Sequence, residues 1–201
     1  MTQKQKTHRI AVAALLAAVA AILQFVEFSI PIMPAFVKLD ISDLPALLGT
    51  FSLGPVYGVA IQLVKNLLHL PFGSSACVGE LSNFLLGATF AFIAGIIYKK
   101  HKKRSGALWG SLAGAAAMAL ISLPLNYFIV YTAYVVLYGL PLEGIVGMYQ
   151  EILGTVAQIH TGNALFNCLL VFNVPFTLCK GLLDVALCFL IYKPLSPLLH
   201  K

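Results

Sequence analysis

Charge is what this chain has least of: charged residues make up 10% of its 201 positions and hydrophobic ones 60%, where soluble domains carry roughly 25% charged residues. With a mean hydropathy of +0.91, this scarcity excludes a soluble domain and marks an integral membrane protein. No linker rich in Ser, Gly or Pro and no acidic tail interrupts residues 1–201, so one domain is expected. There is no G-x-x-x-x-G-K-[ST] phosphate loop, and ATP hydrolysis would have to come from partner subunits. The four cysteines, Cys77, Cys168, Cys179 and Cys188, form no CxxC and have no paired histidines nearby. That removes zinc and redox motifs, and the three in apolar runs are expected to pack as small hydrophobes. No G-x-S-x-G surrounds Ser74 or Ser75, and nothing orients His160, so an intramembrane hydrolase finds no support and the chain is expected not to be an enzyme. No internal repeat is found, and Glu80 and Asp184 are the only acids inside the later helices. A self-sufficient secondary transporter, which often has inverted repeats and buried carboxylates, is therefore the weaker transport reading.

The basic residues present are placed unevenly. The net charge of +6 comes largely from three clusters: Lys4, Lys6 and Arg9; Lys99, Lys100, Lys102, Lys103 and Arg104; and Lys193 with Lys201. They flank apolar runs and hold no acid, which is the pattern of positively charged cytoplasmic loops, so all three are assigned to the cytoplasm. Keeping the first two on one side requires an even number of crossings between them, and four runs are available: 10–30, 42–53, 55–70 and 78–98. The second is too short for an ordinary span, so it must be sheltered by protein or form half of a re-entrant hairpin. Gly54-Pro55 reads as the stop of one helix and the start of the next. A run at 106–138 and a last one beginning between 164 and 175 complete an all-α, six-helix transmembrane bundle with a short second helix and both termini cytoplasmic. Residues 139–163 read as an outer loop with room for a short surface helix. The first twenty-odd residues resemble a signal peptide ending at Ala18-Val19-Ala20, but further spans follow, and a retained helix is expected.

The last apolar run, Asn173 to Tyr192, carries Lys180 and Asp184 one helical turn apart, with Pro175 suited to its first turn. Ionisable residues at membrane depth are expensive and mark functional sites, although an i,i+4 pair or a snorkelling lysine is the structural alternative. Lys65 is a second intramembrane cation, with Glu80 as a candidate partner. Asn83, Asn126 and Lys180 fall at similar depth near the outer face, where donors and acceptors in an apolar cavity suit the polar edge of a flat heterocycle. The first loop, with Lys38, Asp40 and Asp43 beside Met33 and Phe36, lies on the same face and reads equally as a ligand cover or a surface turn. Ala13, Ala17 and Ala21 form a small-residue stripe that packs either internally or against a partner subunit.

Taken together, PAFVKLDISDLPALLG at 34–49, LGP at 53–55, KNLLH at 65–69, GELSNFLLG at 79–87, LNYF at 125–128 and VPFTLCKG at 174–181 resemble the riboflavin-specific substrate-binding (S) components of energy-coupling factor (ECF) transporters. The resemblance runs from the first helix to the last. It implies six helices, an outward-facing vitamin site, and riboflavin or its phosphorylated form, flavin mononucleotide, as a transported ligand rather than a cofactor. It further implies docking of a small-residue face at Ala13, Ala17 and Ala21 to a transmembrane coupling subunit, two ATP-binding subunits, and a multi-pass location in a bacterial plasma membrane. Asn83, Asn126 and Lys180 match binding positions by motif. Phe36 and Leu39 of the first loop, Glu80 and Thr177 complete the expected substrate-binding set. Thr177 departs from the pattern, because the family more often has Asn three residues before the lysine. An S component for another vitamin is the alternative.

Overall fold

The computed structural model describes residues 2–31, 33–34, 37–73, 77–139, 141–153 and 163–199, with side chains through Ile191 except at Leu153. Helix α1 spans Gln3–Gln24, starting ahead of the apolar run because Thr2 caps it. The Thr2 side chain accepts from the Gln5 backbone N–H while the Gln5 side chain accepts from the Thr2 N–H, a reciprocal capping box. The helix stops before Ile30. Two short strands follow, β1 (Phe28–Ser29) and β2 (Lys38–Leu39), paired antiparallel with Phe28 opposite Leu39 and Ser29 opposite Lys38. This ribbon is an addition to an otherwise helical chain that the all-α expectation did not include. Pro31 and Pro34 lie between its strands, where helix cannot continue.

Helices α2 (Asp43–Leu53) and α3 (Pro55–His69) are joined at Gly54, whose φ of +112° is open to glycine and strained for other residues. At 11 residues α2 is far shorter than a span, yet every residue from Asp43 to Phe51 is buried. It packs against α1, α3, α4 (Val78–Lys100) and α9 (Val174–Leu199). Neighbouring helices bury the run, the shelter that a segment too short to span requires.

Helix α5 (Arg104–Leu125) returns along α4, and here small residues set the spacing. A Cβ on Gly110 would come within 2.7 Å of the Ala94 carbonyl, and one on Gly114 within 2.7 Å of the Phe90 carbonyl. The main core joins Leu44, Leu47, Leu48 and Phe51 of α2 to Phe90 and Ala94 of α4, Ala115 and Met118 of α5, and Val185 and Cys188 of α9. Past Leu125 the helix continues through a π-helical turn, Asn126–Val130, into α6 (Tyr131–Tyr138). Helix α7 (Leu142–Leu153) follows, and then α8 (Ala164–Cys168), which runs through a second π turn, Leu169–Asn173, into α9. In both turns an N–H reaches back five residues, Tyr131 to Asn126 and Val174 to Leu169. Each adjoins a proline, Pro124 or Pro175, whose missing N–H disturbs the ordinary ladder. Pro175 therefore sits inside a continuous helix that begins at Ala164, not in a first turn.

Among the described residues, four helical stretches are long and apolar enough to cross a membrane: Gln3–Gln24, Val78–Lys100, Arg104–Tyr138 and Ala164–Ile191. Two sequence expectations change with the packing. Ala17 and Ala21 are 2% and 6% exposed; Ala17 and Ala20 pack on Ala46 of α2 and Ile61 of α3, with Ala13 partly buried beside them. The stripe assigned to partner docking thus faces inward, because small side chains let α1 close over the two short helices. The cysteines are all free, but only Cys168 and Cys188 are buried, while Cys179 is exposed.

Candidate functional site

A cavity of about 160 Å³ opens between the ribbon, the start of α4, the two π turns and the start of α9. Asn83 and Glu80 reach it from α4, Asn126 from the first π turn, and Thr177 and Lys180 from α9. Five of the expected site residues thus meet in one place. Leu39 does not line the cavity; it sits on β2 opposite Phe28. Phe36 lies outside the described residues, as do Ser74, Ser75 and His160. Apolar walls come from Val37, Leu86, Met118, Val130 and Phe176, and aromatic ones from Tyr131 and Tyr134.

The ion pairs differ from those read in the sequence. Lys180 Nζ donates to Asp40 Oδ2 at 2.8 Å and lies 3.4 Å from Asp43 Oδ2. The i,i+4 partner suggested for it, Asp184, is instead fully buried with both carboxyl oxygens lacking a hydrogen-bond partner among the described residues. The first loop competes successfully because it brings two carboxylates to one ammonium. Lys65, completely buried, donates to Ser42 Oγ at 2.6 Å and Asp43 Oδ1 at 2.5 Å. It does not pair with Glu80, which meets His69 Nδ1 at 3.1 Å. Gln62 Nε2 also donates to Asp43 Oδ1, at 2.9 Å, and the Ser42 N–H to Asp40 Oδ1, at 2.9 Å. Two lysines on different helices are thus clamped onto the segment that leads into α2. Burial alone would raise the Asp40 carboxyl, but the Lys180 and Lys65 ammonium groups outweigh it and hold the carboxyl below its ordinary value. Nearer the mouth, Lys38 on β2 pairs with Glu27.

Against these engaged charges stand three unengaged polar groups. The side chains of Asn83, Asn126 and Thr177 make no hydrogen bond to any described residue, although Asn126 and Thr177 are only 7% and 6% exposed. Buried polar groups are normally satisfied. Three open ones around a common space form a surface complementary to a ligand with its own donors and acceptors.

Several wall residues escaped the sequence reading. Asp40 and Asp43 were visible as loop charges but not as partners of a lysine 140 residues away. Asn173 lines the cavity as well, and its spacing to Thr177 and Lys180, i+4 and i+7, was the available signal that all three share a helix face.

A family model for the substrate-specific component of ECF transporters matches residues 8–192. The chain is 32% identical over 197 residues to the riboflavin transporter RibU of Staphylococcus aureus (strain TCH60), covering 98% of this chain and 95% of that one. It is 26% identical over 200 residues to RibU of Streptococcus thermophilus, covering 97% and 86%. It is 33% identical over 132 residues to the riboflavin transporter FmnP of Bacillus subtilis, covering 64% and 70%. A solved structure described as the S component of a bacterial ECF transporter superimposes with a TM-score of 0.73 at 31% identity, covering 98% of this chain and 99% of that one.

Proposed function

The chain belongs to the substrate-specific components of ECF transporters, a multi-pass bacterial membrane family, and on that premise we propose that it is a riboflavin-binding subunit of an importer energised by partner ATPases. The observation that carries the ligand class is the set of unengaged amide and hydroxyl groups, Asn83, Asn126 and Thr177, around an apolar and aromatic cavity that also holds Lys180. Riboflavin matches this chemistry, with a flat apolar ring system edged by carbonyl and N–H groups. In this reading Asn83 and Asn126 pair with that edge, Thr177 offers a hydroxyl, and Lys180 donates to a ring acceptor in competition with Asp40. At about 160 Å³ the cavity is below the roughly 300–1,000 Å³ of pockets that bury drug-sized ligands. The ribbon wall, held by Lys38–Glu27 and Lys180–Asp40, is the one a tricyclic ligand has to displace. The test is purification followed by absorption spectroscopy and riboflavin titration. A co-purified flavin, or saturable binding weakened by Asn83→Ala with Asn126→Ala, supports the reading; absence of any flavin binding rejects it.

The proposed topology has six crossings, formed by α1, α2, α3, α4, α5–α6 and α8–α9, with both termini in the cytoplasm. It rests on the basic clusters at the N-terminus and at 99–104. In a cysteine-free background, a cysteine at the exposed Ser29 is expected to react with an impermeant reagent from outside, and one at the exposed His101 only after lysis. Labelling of both from one side defeats the count.

The coupling subunit and two ATP-binding subunits are expected partners. With Ala17 and Ala21 turned inward, the small residues left exposed on α1 are Ala11, Ala14 and Ala18, beside the exposed Ile10, Leu15 and Ile22. Ala18→Trp is expected to abolish riboflavin uptake by cells through steric exclusion of a partner helix, while the purified variant still binds riboflavin with unchanged affinity. Full uptake by this variant removes α1 from the coupling interface.

A further inference from the structure

Behind the cavity wall lies a buried polar chain with a definite direction. Tyr149 of α7, completely buried and not itself lining the cavity, donates its hydroxyl proton to Asn173 Oδ1 at 2.6 Å. The Tyr131 and Tyr149 hydroxyls are 2.6 Å apart. Because the single Tyr149 proton points at Asn173, Tyr131 is the donor in that second bond. The order Tyr131 to Tyr149 to Asn173 orients the amide: its oxygen accepts from Tyr149, and its NH₂ group faces away from Tyr149. One of those N–H groups points toward Tyr131 Oη, 3.5 Å away and at the outer limit of a hydrogen bond. Asn173, only 5% exposed, lines the cavity at the end of the second π turn, one helical turn before Thr177 and two before Lys180.

We infer that Asn173 is a ligand-binding residue presenting an N–H donor, and that Tyr149 is its positioning residue, setting which face of the amide the ligand meets. This deepens the riboflavin reading and rests on it. An amide free to flip offers donor or acceptor with little preference; one whose oxygen is turned onto a buried hydroxyl is held in one orientation with its NH₂ on the other flank, and so favours ligands with an acceptor at that point. In flavin chemistry the acceptors are the ring carbonyls and the unprotonated ring nitrogens. Helix α7 thereby acts on ligand choice without touching the ligand: its inward face, Ile145, Val146 and Tyr149, seats on Leu165, Cys168 and Leu169 and carries the hydroxyl to its place.

The experiment titrates the purified full chain with riboflavin and with analogues that each remove or weaken one acceptor, a ring nitrogen replaced by C–H or a ring carbonyl by thiocarbonyl. Wild type is expected to bind one of these at least about tenfold more weakly than riboflavin, the effect of one good hydrogen bond. In Tyr149→Phe, which keeps the ring and deletes the hydroxyl, riboflavin is expected to bind several-fold more weakly and the penalty for that same analogue to shrink severalfold. Asn173→Leu, of similar volume, is expected to erase the penalty, and it carries the test if Tyr149→Phe does not fold. A purely structural role for Tyr149 lowers the melting temperature but leaves the analogue pattern untouched; a pattern unchanged in both variants overturns the inference. So does a wild type that binds riboflavin and all analogues alike. A wild type that binds no flavin overturns the riboflavin reading itself, an outcome separate from the other two.

Discussion

Lys180→Met is expected to lose stability first and ligand second. Its ammonium group is the near partner of Asp40 and lies within 3.4 Å of Asp43, all three being at most 8% exposed. Removing one member of a buried pair leaves an uncompensated charge, a loss of about 3–5 kcal/mol. The drop is thus expected as a large fall in thermal stability, and any loss of riboflavin binding in the single variant reports misfolding together with a lost contact. The compensating change follows from the geometry: Lys180→Met/Asp40→Asn removes the orphaned charge, while Asp43 keeps Lys65 and Gln62. This double variant is expected to regain most of the stability and yet bind riboflavin more weakly than wild type by about 1.5–3 kcal/mol, the range for hydrogen bonds from charged donors. Pairing Lys180→Met with Asp184→Asn instead should not restore stability, since Asp184 accepts no hydrogen bond from Lys180. Rescue by Asp184→Asn but not by Asp40→Asn would falsify the ion-pair assignment. Wild-type affinity in the Asp40 double variant would remove Lys180 from the ligand.

That reversal of partners shows what a sequence carries and what it does not. Hydropathy and charge placement made the apolar helices legible, because lipid demands long runs of one composition and leaves basic residues on one side. The shortness of the run at 42–53 left it as a helix sheltered by protein or half of a re-entrant hairpin, and α2 is buried by its neighbours. Depth along each helix then brought Asn83, Asn126 and Lys180 to a common level, the family resemblance added Thr177, and all four line one cavity. The ion pairs were not legible, since an i,i+4 neighbour is visible in one dimension and a carboxylate 140 residues away is not. The alanine stripe was ambiguous for a related reason. Close helix approach within a chain and between chains needs the same small residues, and only the position of α2 and α3 decides that Ala17 faces inward. The π turns and the tyrosine chain behind Asn173 depend on local geometry that no periodicity encodes.

Riboflavin is expected to bind at least tenfold more tightly than flavin mononucleotide. The phosphate brings about −1.5 to −2 charges near neutral pH and calls for arginine or several free lysines. The described cavity wall has neither. Its acids are Glu27, Asp40, Asp43 and Glu80; its lysines are Lys38, bonded to Glu27, and Lys180, bonded to Asp40; His69 is taken by Glu80. A phosphate therefore either breaks an existing pair or faces carboxylates without a counter-charge. Tenfold corresponds to about 1.4 kcal/mol, a modest demand on such repulsion even where water screens it near the mouth. Because Glu27 and Lys38 are the half-exposed members of the set, they are where a phosphate emerging toward solvent would meet the wall. Glu27→Gln is accordingly expected to narrow the gap by freeing Lys38, with riboflavin affinity itself little changed, and added salt is expected to narrow it in wild type by screening. Isothermal titration of the two flavins at low and high ionic strength reads all three effects. Tighter binding of the phosphorylated flavin at low salt would mean that cations outside the described wall govern the mouth, and the charge argument for the ligand would fail with it.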